Sequence, residues 1–272
     1  MSFTYYNVSL GIDPSQEFWY RNAESVEEQT QLCEYETTLD VVRNALPRDG
    51  AIVETGCGLA RWVIYLRRAG FPITGLDVSH QALVRAREAV TDVPVFVADT
   101  LRLPFRDDSL AAVLSFGVIE HFPGGPQAAL RELWRVLRPG GVALVSVPYN
   151  NYMRRVLVNH LRRLRDWQKR RAGLNLQFAE YRFSARELSG FLESAGFEVR
   201  SVHADDFRLP FGKGLWVDSS SFFGYRTSAW DIAPDHRNWE MNPRGRLVRR
   251  VLDALSPWWT AGGVLAVGHA RK

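Results

Sequence analysis

The sequence predicts an α/β fold, a parallel sheet with helices on both faces. Short apolar runs recur between residues 51 and 148: AIVET, FPITGLD, VPVFVAD, LAAVLSFG and VALVSVP. Segments with helical apolar spacing separate them, as in SHQALVRAREAV. Near-continuous apolar strands alternating with helices are the mark of a sheet buried on both sides. With 272 residues, 46% hydrophobic and 24% charged, the chain can fill one large core.

The elements follow in order. Residues 1–22 are aromatic and read as irregular, with Phe3, Tyr5, Tyr6, Phe18, Trp19 and Tyr20. Ser25 to Leu46 has helical spacing and is stopped by Pro47-Arg48-Asp49-Gly50. AIVET is the first buried strand, and Leu59 to Ala69 a helix ended by Gly70. FPITGLD is the second strand, and Ser79 is placed to N-cap the helix after it. VPVFVAD and LAAVLSFG are the third and fourth strands. Gln127 to Leu137 is a helix stopped by Pro139-Gly140-Gly141, and VALVSVP is the fifth strand. After Pro148 comes a strongly basic stretch, then a helix (SARELSGFLESAG) and a strand (FEVRSVH). Residues 205–245 read as loop, Arg246 to Leu255 as helix, and GGVLAVGHARK as a closing strand. The chain reads as a single domain, 1–272. It has an N-terminal cap and helix (1–46), a basic lid insertion (149–182) and an aromatic-rich insertion before the final strand (204–256).

Composition excludes several classes. The formal charge is +4, and nearly all basic residues are Arg, with Lys only at 169, 213 and 272. Cys33 and Cys57 form neither a disulfide framework nor a cluster with metal-ligand spacing, so no metal is expected. The N-terminus lacks the basic start and apolar stretch of a secretory signal. No apolar run approaches the roughly 18 residues of a membrane span. A cytoplasmic protein is the expectation.

The stretch IVETGCGLARWVIYL places Glu54, Gly56 and Gly58 between the first strand and a helix. In open parallel sheets, ligands sit at such carboxyl ends. A phosphate loop of the Gly-Lys-Ser/Thr type is absent. A dinucleotide turn needs a small residue where Arg61 stands, and Glu54 would repel a pyrophosphate by roughly 4 kcal/mol per pair. A phosphate-free, cationic nucleoside fits better, and S-adenosylmethionine is one. Asp77 ends the second strand, where an acid meets ribose hydroxyls, and Asp99 follows the third, beside the base. Each residue also has a plainer reading: a solvated strand-end acid, a turn glycine, a helix cap or a loop acid. Removing Asp77 is expected to abolish cofactor binding with little loss of thermal stability.

The blocks VETGCGLA, GLDVSHQALVRARE, VFVADTLRLPFRDDSLAAVLSFGVIEHF and LRELWRVLRPGGVALVSVP together resemble the class I S-adenosylmethionine-dependent methyltransferases. The likeness covers residues 50–148 and extends through YRFSARELSGFLESAGFEV to about 200. Ala60 departs from it, standing where many members have a third glycine. The resemblance implies a doubly wound, seven-stranded Rossmann-like sheet, mostly parallel with an antiparallel last strand near 263–270, plus lid insertions. It implies that Glu54, Gly56 and Gly58 line the methionine end, and that Asp77 binds the ribose with Val78 against the adenine. Asp99 and Thr100 would face the adenine amino group, and Ser115 and Phe116 would flank the methionine portion.

Methyl transfer from a sulfonium needs no acid for the leaving group. Positioning can supply roughly 7–11 kcal/mol, and a general base about 10²–10⁴-fold. If a base acts, His121 is the first candidate, with a suitable unperturbed pKa near 6.5. It can equally serve by packing and hydrogen bonding to hold its loop. Tyr181 and Arg182 are acceptor-site candidates, His203 is a weaker one, and Cys57 is read as a packing residue.

Acceptor choice is expected from residues 1–25, 149–182 and 204–245, which are rich in aromatics such as Trp19, Tyr149, Trp167, Tyr181, Trp216, Phe222, Phe223, Tyr225 and Trp230. This points to an apolar pocket under a lid, for a small-molecule or lipid-like acceptor. In MRRVLVNHLRRLRDWQKRRAG, Met153, Leu157, Leu161 and Leu164 recur at helical spacing among eight Arg and Lys. Such a helix can pack its stripe on the domain, lie peripherally on an anionic membrane, or attract an acidic acceptor. No RNA-binding module is recognised, so nucleic acid is the weaker reading. A non-catalytic cofactor-binding module and a nicotinamide oxidoreductase remain alternatives.

Overall fold

A computed structural model describes residues 2–8, 26–214 and 240–272. The expectations that rest on Phe18, Trp19, Tyr20, Ser25, Trp216, Phe222, Phe223, Tyr225 and Trp230 lie outside them.

The apolar runs between residues 51 and 148 form the predicted strands: β2 (Ile52–Thr55), β3 (Ile73–Asp77), β4 (Val95–Val97), β5 (Leu110–Phe116) and β6 (Leu137–Pro148). With β8 (Phe197–Asp205) and β9 (Gly263–Ala270) they build one seven-stranded sheet, ordered β4-β3-β2-β5-β6-β9-β8. The pairings β2–β3, β2–β5, β3–β4 and β5–β6 are parallel. β9 runs antiparallel to both its neighbours. The expected sheet, with its inverted last strand, is therefore present.

Alternation along each strand builds a core on each side of the sheet. One face carries Ile52, Ile73, Val95, Leu114 and Leu144, packed with Val63 and Leu66 of α3 (Arg61–Arg68) and Leu83 of α4 (His80–Ala89). Val26 of α1 (Val26–Leu32) and Val42 of α2 (Leu39–Ala45) join that core. The other face carries Val53, Val113 and Val145 under α5 (Gln127–Val136) and α7 (Ala185–Ser194). The Ser79 hydroxyl caps α4 by accepting from the Ala82 N–H. Ser184 and Glu187 form a reciprocal capping box at the start of α7.

Three expectations change. The segment read as one helix from Ser25 to Leu46 is α1, a short 3-10 turn (Cys33–Tyr35) and α2. Pro139-Gly140-Gly141 does not precede the fifth strand but lies within β6, where pairing with β5 is irregular between Leu110 and Ala112. The N-terminus read as irregular contains β1 (Phe3–Val8), antiparallel to β7 (Leu176–Arg182) in a separate two-stranded sheet. The basic stretch forms a π-helical turn (Arg154–Val158) leading into α6 (Asn159–Arg171). The expected helix near 246–255 is α8 (Pro243–Leu255), started by the Asn242 side chain. No helix among the described residues is long and apolar enough to cross a membrane.

Candidate active site

The chain runs from β2 outward to β3 and β4, then returns to β5 on the other side of β2. The switch point, where such sheets hold ligands, therefore lies between the carboxyl ends of β2 and β5. Both turns there are tight. Gly56, Gly58 and Gly117 have φ of 65°, 54° and 74°. Ala60 also sits in the left-handed region at φ 61°, which explains why glycine suits its place. A Cβ on Gly56 would lie 2.4 Å from Cγ2 of Val118, so the turns after β2 and β5 are in contact. Gly56→Ala is accordingly expected to cost about 1–3 kcal/mol of stability and to weaken cofactor binding at least about tenfold. Urea unfolding and calorimetric titration would check it, and wild-type values for both would refute the packing argument.

Glu54 is buried at the end of β2. A backbone N–H from Val63, in the first turn of α3, supports it, yet its Oε2 has no hydrogen-bond partner among the described residues. Burial pushes its pKa up to about 8, with Asp77 adding to the rise and Arg61 opposing it. Arg61 bonds Glu36 at 2.9 Å. Lys213 then bridges Glu36 at 2.9 Å and Asp205 at 3.1 Å. This ion chain fixes the first residue of α3 and ties the glycine turn to the end of β8.

Asp77 is buried and braces the turn. Its Oδ2 accepts the Gly58 N–H at 2.8 Å, and its Oδ1 accepts the Ser79 N–H at 2.7 Å. Val78 beside it is half exposed. Asp77 pairs in register with Val97, two residues before Asp99. Asp99 accepts the Leu101 N–H at 2.8 Å, and Thr100 is buried. Ser115 is fully buried next to Thr55 in the ladder, and its hydroxyl lacks a partner among the described residues. The Phe116 ring packs edge-on to Trp62 of α3 at 5.4 Å. Cys57 fills the space over Gly75, and burial pushes its thiol pKa well up, as a packing residue requires.

The turn after β5 carries His121. Its Nδ1 lies 2.7 Å from the Ala179 carbonyl on β7 and its Nε2 3.7 Å from Oε1 of Glu120. The Tyr181 hydroxyl donates to the Pro123 carbonyl at 2.9 Å. Thus β7 is fastened to this turn at two points, and His121 and Tyr181 come together there. Arg182 bonds Glu180 at 2.9 Å. His203, by contrast, bonds Ser201 on β8.

Sequence reasoning missed Glu120. It is almost completely buried, its Oε2 has no partner among the described residues, and burial pushes its pKa up to about 7, opposed by His121. An acid between Ile119 and His121 has no periodic signal, and only the fold buries it. Val118, which closes over Gly56, was likewise unmarked.

Buried polar atoms without partners are rare and call for an explanation. Glu54 Oε2, Ser115 Oγ and Glu120 Oε2 lie at the ends of β2 and β5 and in the turn beyond. A cationic, hydroxyl-bearing ligand at this edge would satisfy such acceptors, and the cradle admits no Cβ at Gly56. These residues fit S-adenosyl-L-methionine in charge and donor type.

Residues 53–145 match the family model described as a methyltransferase domain. That match, with the sheet order above, supports a class I S-adenosylmethionine-dependent methyltransferase domain over this part of the chain, with S-adenosyl-L-methionine as its cofactor. A Mycolicibacterium smegmatis protein named "Probable S-adenosylmethionine-dependent methyltransferase" is 32% identical over 151 residues, 56% of this chain and 53% of that protein. A tRNA (carboxymethyluridine(34)-5-O)-methyltransferase of Macaca fascicularis is 35% identical over 105 residues, 38% of this chain and 15% of that protein. This chain therefore spans about half of the first relative and a smaller part of the second. A SAM-dependent methyltransferase structure from Methanosarcina mazei superposes with a TM-score of 0.58 at 15% identity, covering 85% of this chain and 97% of that one. The last likeness concerns the fold alone.

Proposed function

We propose that the chain transfers a methyl group from S-adenosyl-L-methionine to oxygen, nitrogen or carbon of a small or lipid-like acceptor. The observation that carries this reading is the set of buried oxygens at the ends of β2 and β5 that have no partner among the described residues, beside the Gly56–Val118 contact. Glu54 meets the cationic methionine end, and Gly56 and Gly58 bring backbone to it. Asp77 meets the ribose hydroxyls with Val78 against the adenine. Asp99 and Thr100 face the adenine amino group, and Ser115 and Phe116 flank the methionine chain. When bound, the cofactor supplies an electrophilic methyl carbon on a sulfonium, whose leaving group is a neutral thioether.

The chain's own part is positioning and, for a poor nucleophile, proton removal. With Nδ1–H donated to the Ala179 carbonyl, neutral His121 keeps a lone pair on Nε2. That nitrogen takes the acceptor's proton, and Glu120 stabilises the imidazolium from 3.7 Å. His121→Ala is expected to lower kcat by about 10²–10⁴-fold while cofactor affinity stays within about twofold. Tyr181→Phe is expected to change kcat little, because that hydroxyl is spent on Pro123. Wild-type kcat in His121→Ala would leave this ring with only the work of holding β7.

Incubation with methyl-labelled cofactor and separate metabolite, lipid and tRNA fractions of a cell extract tests the acceptor class. Label in the metabolite or lipid fraction supports the proposal, and label confined to tRNA overturns it. Titration with S-adenosylhomocysteine and with NAD tests the cofactor independently: only the former is expected to bind.

A further inference from the structure

Helix α6 is inside out. Its inward face is polar. Arg154, in the turn before it, is buried and donates to the Tyr149 and Gly262 carbonyls. Asn159 bonds Asn150, Arg162 lies over the Tyr5 ring at 4.4 Å, and Arg170 over the Tyr6 ring at 5.1 Å. The leucine stripe points away: Leu157, Leu161 and Leu164 are 52, 49 and 53% exposed. The sequence allowed this stripe to pack on the domain, and the structure rejects that. Beside it stand exposed Arg155, Arg163, Arg165 and Arg171.

A second exposed stripe runs along α8, with Leu247, Val251 and Leu255 all more than half exposed. It leads to Trp259, whose ring lies 5.5 Å from that of Tyr152, just before the α6 segment. Arg244 and Arg250 are exposed along α8. A groove of about 440 Å³ lies between β1 and α6, its lining including Phe3, Tyr6, Arg163, Asp166, Trp167 and Arg170.

We propose that α6, the Tyr152–Trp259 pair and α8 form one docking surface for an anionic lipid bilayer. Soluble chains rarely leave so many large apolar side chains in water without a use. Leucines flanked by arginines match a bilayer interface, where acyl chains lie beneath negative headgroups. Charge chooses between occupants: Arg155, Arg163, Arg165 and Arg171 are exposed beside the stripe, and Asp166 is the single acid in residues 154–171. Each basic residue near such a surface contributes about fivefold in affinity. The groove, with Arg163 and Arg170 in its walls, suits a phosphate-bearing headgroup. The inference rests on this surface and not on the methyl-transfer reading.

Co-sedimentation of the full chain with vesicles of phosphatidylcholine, alone or mixed with phosphatidylglycerol, tests it. Binding is expected to the mixed vesicles, at least about tenfold tighter than to the neutral ones, and to weaken with salt. The triple variant L157E/L161E/L164E is expected to lose about 100-fold in vesicle affinity. Its unfolding midpoint and S-adenosylhomocysteine affinity should be unchanged, which separates a lost surface from a lost fold or cofactor site. R163E/R165E should lower binding to the mixed vesicles alone. Failure of the wild-type chain to sediment with mixed vesicles would overturn the proposal, as would undiminished binding by the triple variant. A self-associated chain that these substitutions turn into monomers, without vesicle binding, would assign the surface to a second copy and also overturn it.

Discussion

Asp77→Ala is expected to weaken S-adenosylhomocysteine binding at least about 100-fold and to cost about 2–4 kcal/mol of folding stability. The second effect departs from the sequence expectation of little stability loss. Both carboxylate oxygens of Asp77 accept backbone N–H groups, from Gly58 and Ser79. Alanine would strand two donors in a buried turn and loosen the glycines that approach the ligand. Asp77→Asn, with one acceptor oxygen, should fall between. Calorimetric titration and urea unfolding measure both quantities together. Full affinity in Asp77→Ala would remove the ribose assignment, and unchanged stability would remove the bracing role.

Stability without cofactor is expected to fall as pH rises from about 5 to 8, and added cofactor to restore most at the alkaline end. Burial holds Glu54 at about 8, Glu120 at about 7 and Asp206, the buried residue just after β8, at about 6, all above ordinary carboxyl values. A raised folded-state pKa means that the folded form binds the extra proton. Its stabilisation is complete below the unfolded value near pH 4 and is lost as pH passes through the folded value. Glu54 alone accounts for about 4 kcal/mol across that window. A cationic ligand beside Glu54 favours the ionised form, so binding near pH 7 should release a proton and tighten with rising pH. Titration in buffers of different ionisation enthalpy counts that proton. Glu54→Gln should abolish the release and flatten the pH dependence. A proton count of zero with the native residue would show that no cation sits against Glu54.

The central sheet was legible because its signals are local. AIVET and LAAVLSFG are apolar runs of strand length, and Ser79 and Ser184 start helices by chemistry written a few residues away. The candidate site residues Glu54, Asp77 and Asp99 were legible for the same reason: each lies at or just after the end of a readable strand. What was not legible depends on distant partners. FTYYNV of β1 becomes a strand only beside LQFAEYR of β7, far along the chain. Glu120 acquires its raised pKa from packing that no spacing announces. The leucines of α6 have ordinary amphipathic periodicity, and periodicity does not say which side of a helix meets the protein. Here the aromatic rings of β1 attract the arginines and leave the leucines outside.

The position of β9 has a consequence for biosynthesis. This strand lies between β6 and β8 and supplies both with their ladder partners. During translation β6 and β8 must wait, with that edge open, until residues 263–270 emerge from the ribosome. The half built from β2, β3, β4 and β5 can order earlier, since its pairings close shorter loops. A nascent chain arrested before residue 263 should therefore engage chaperones through β6 and β8, and emergence of residues 263–270 should end that engagement.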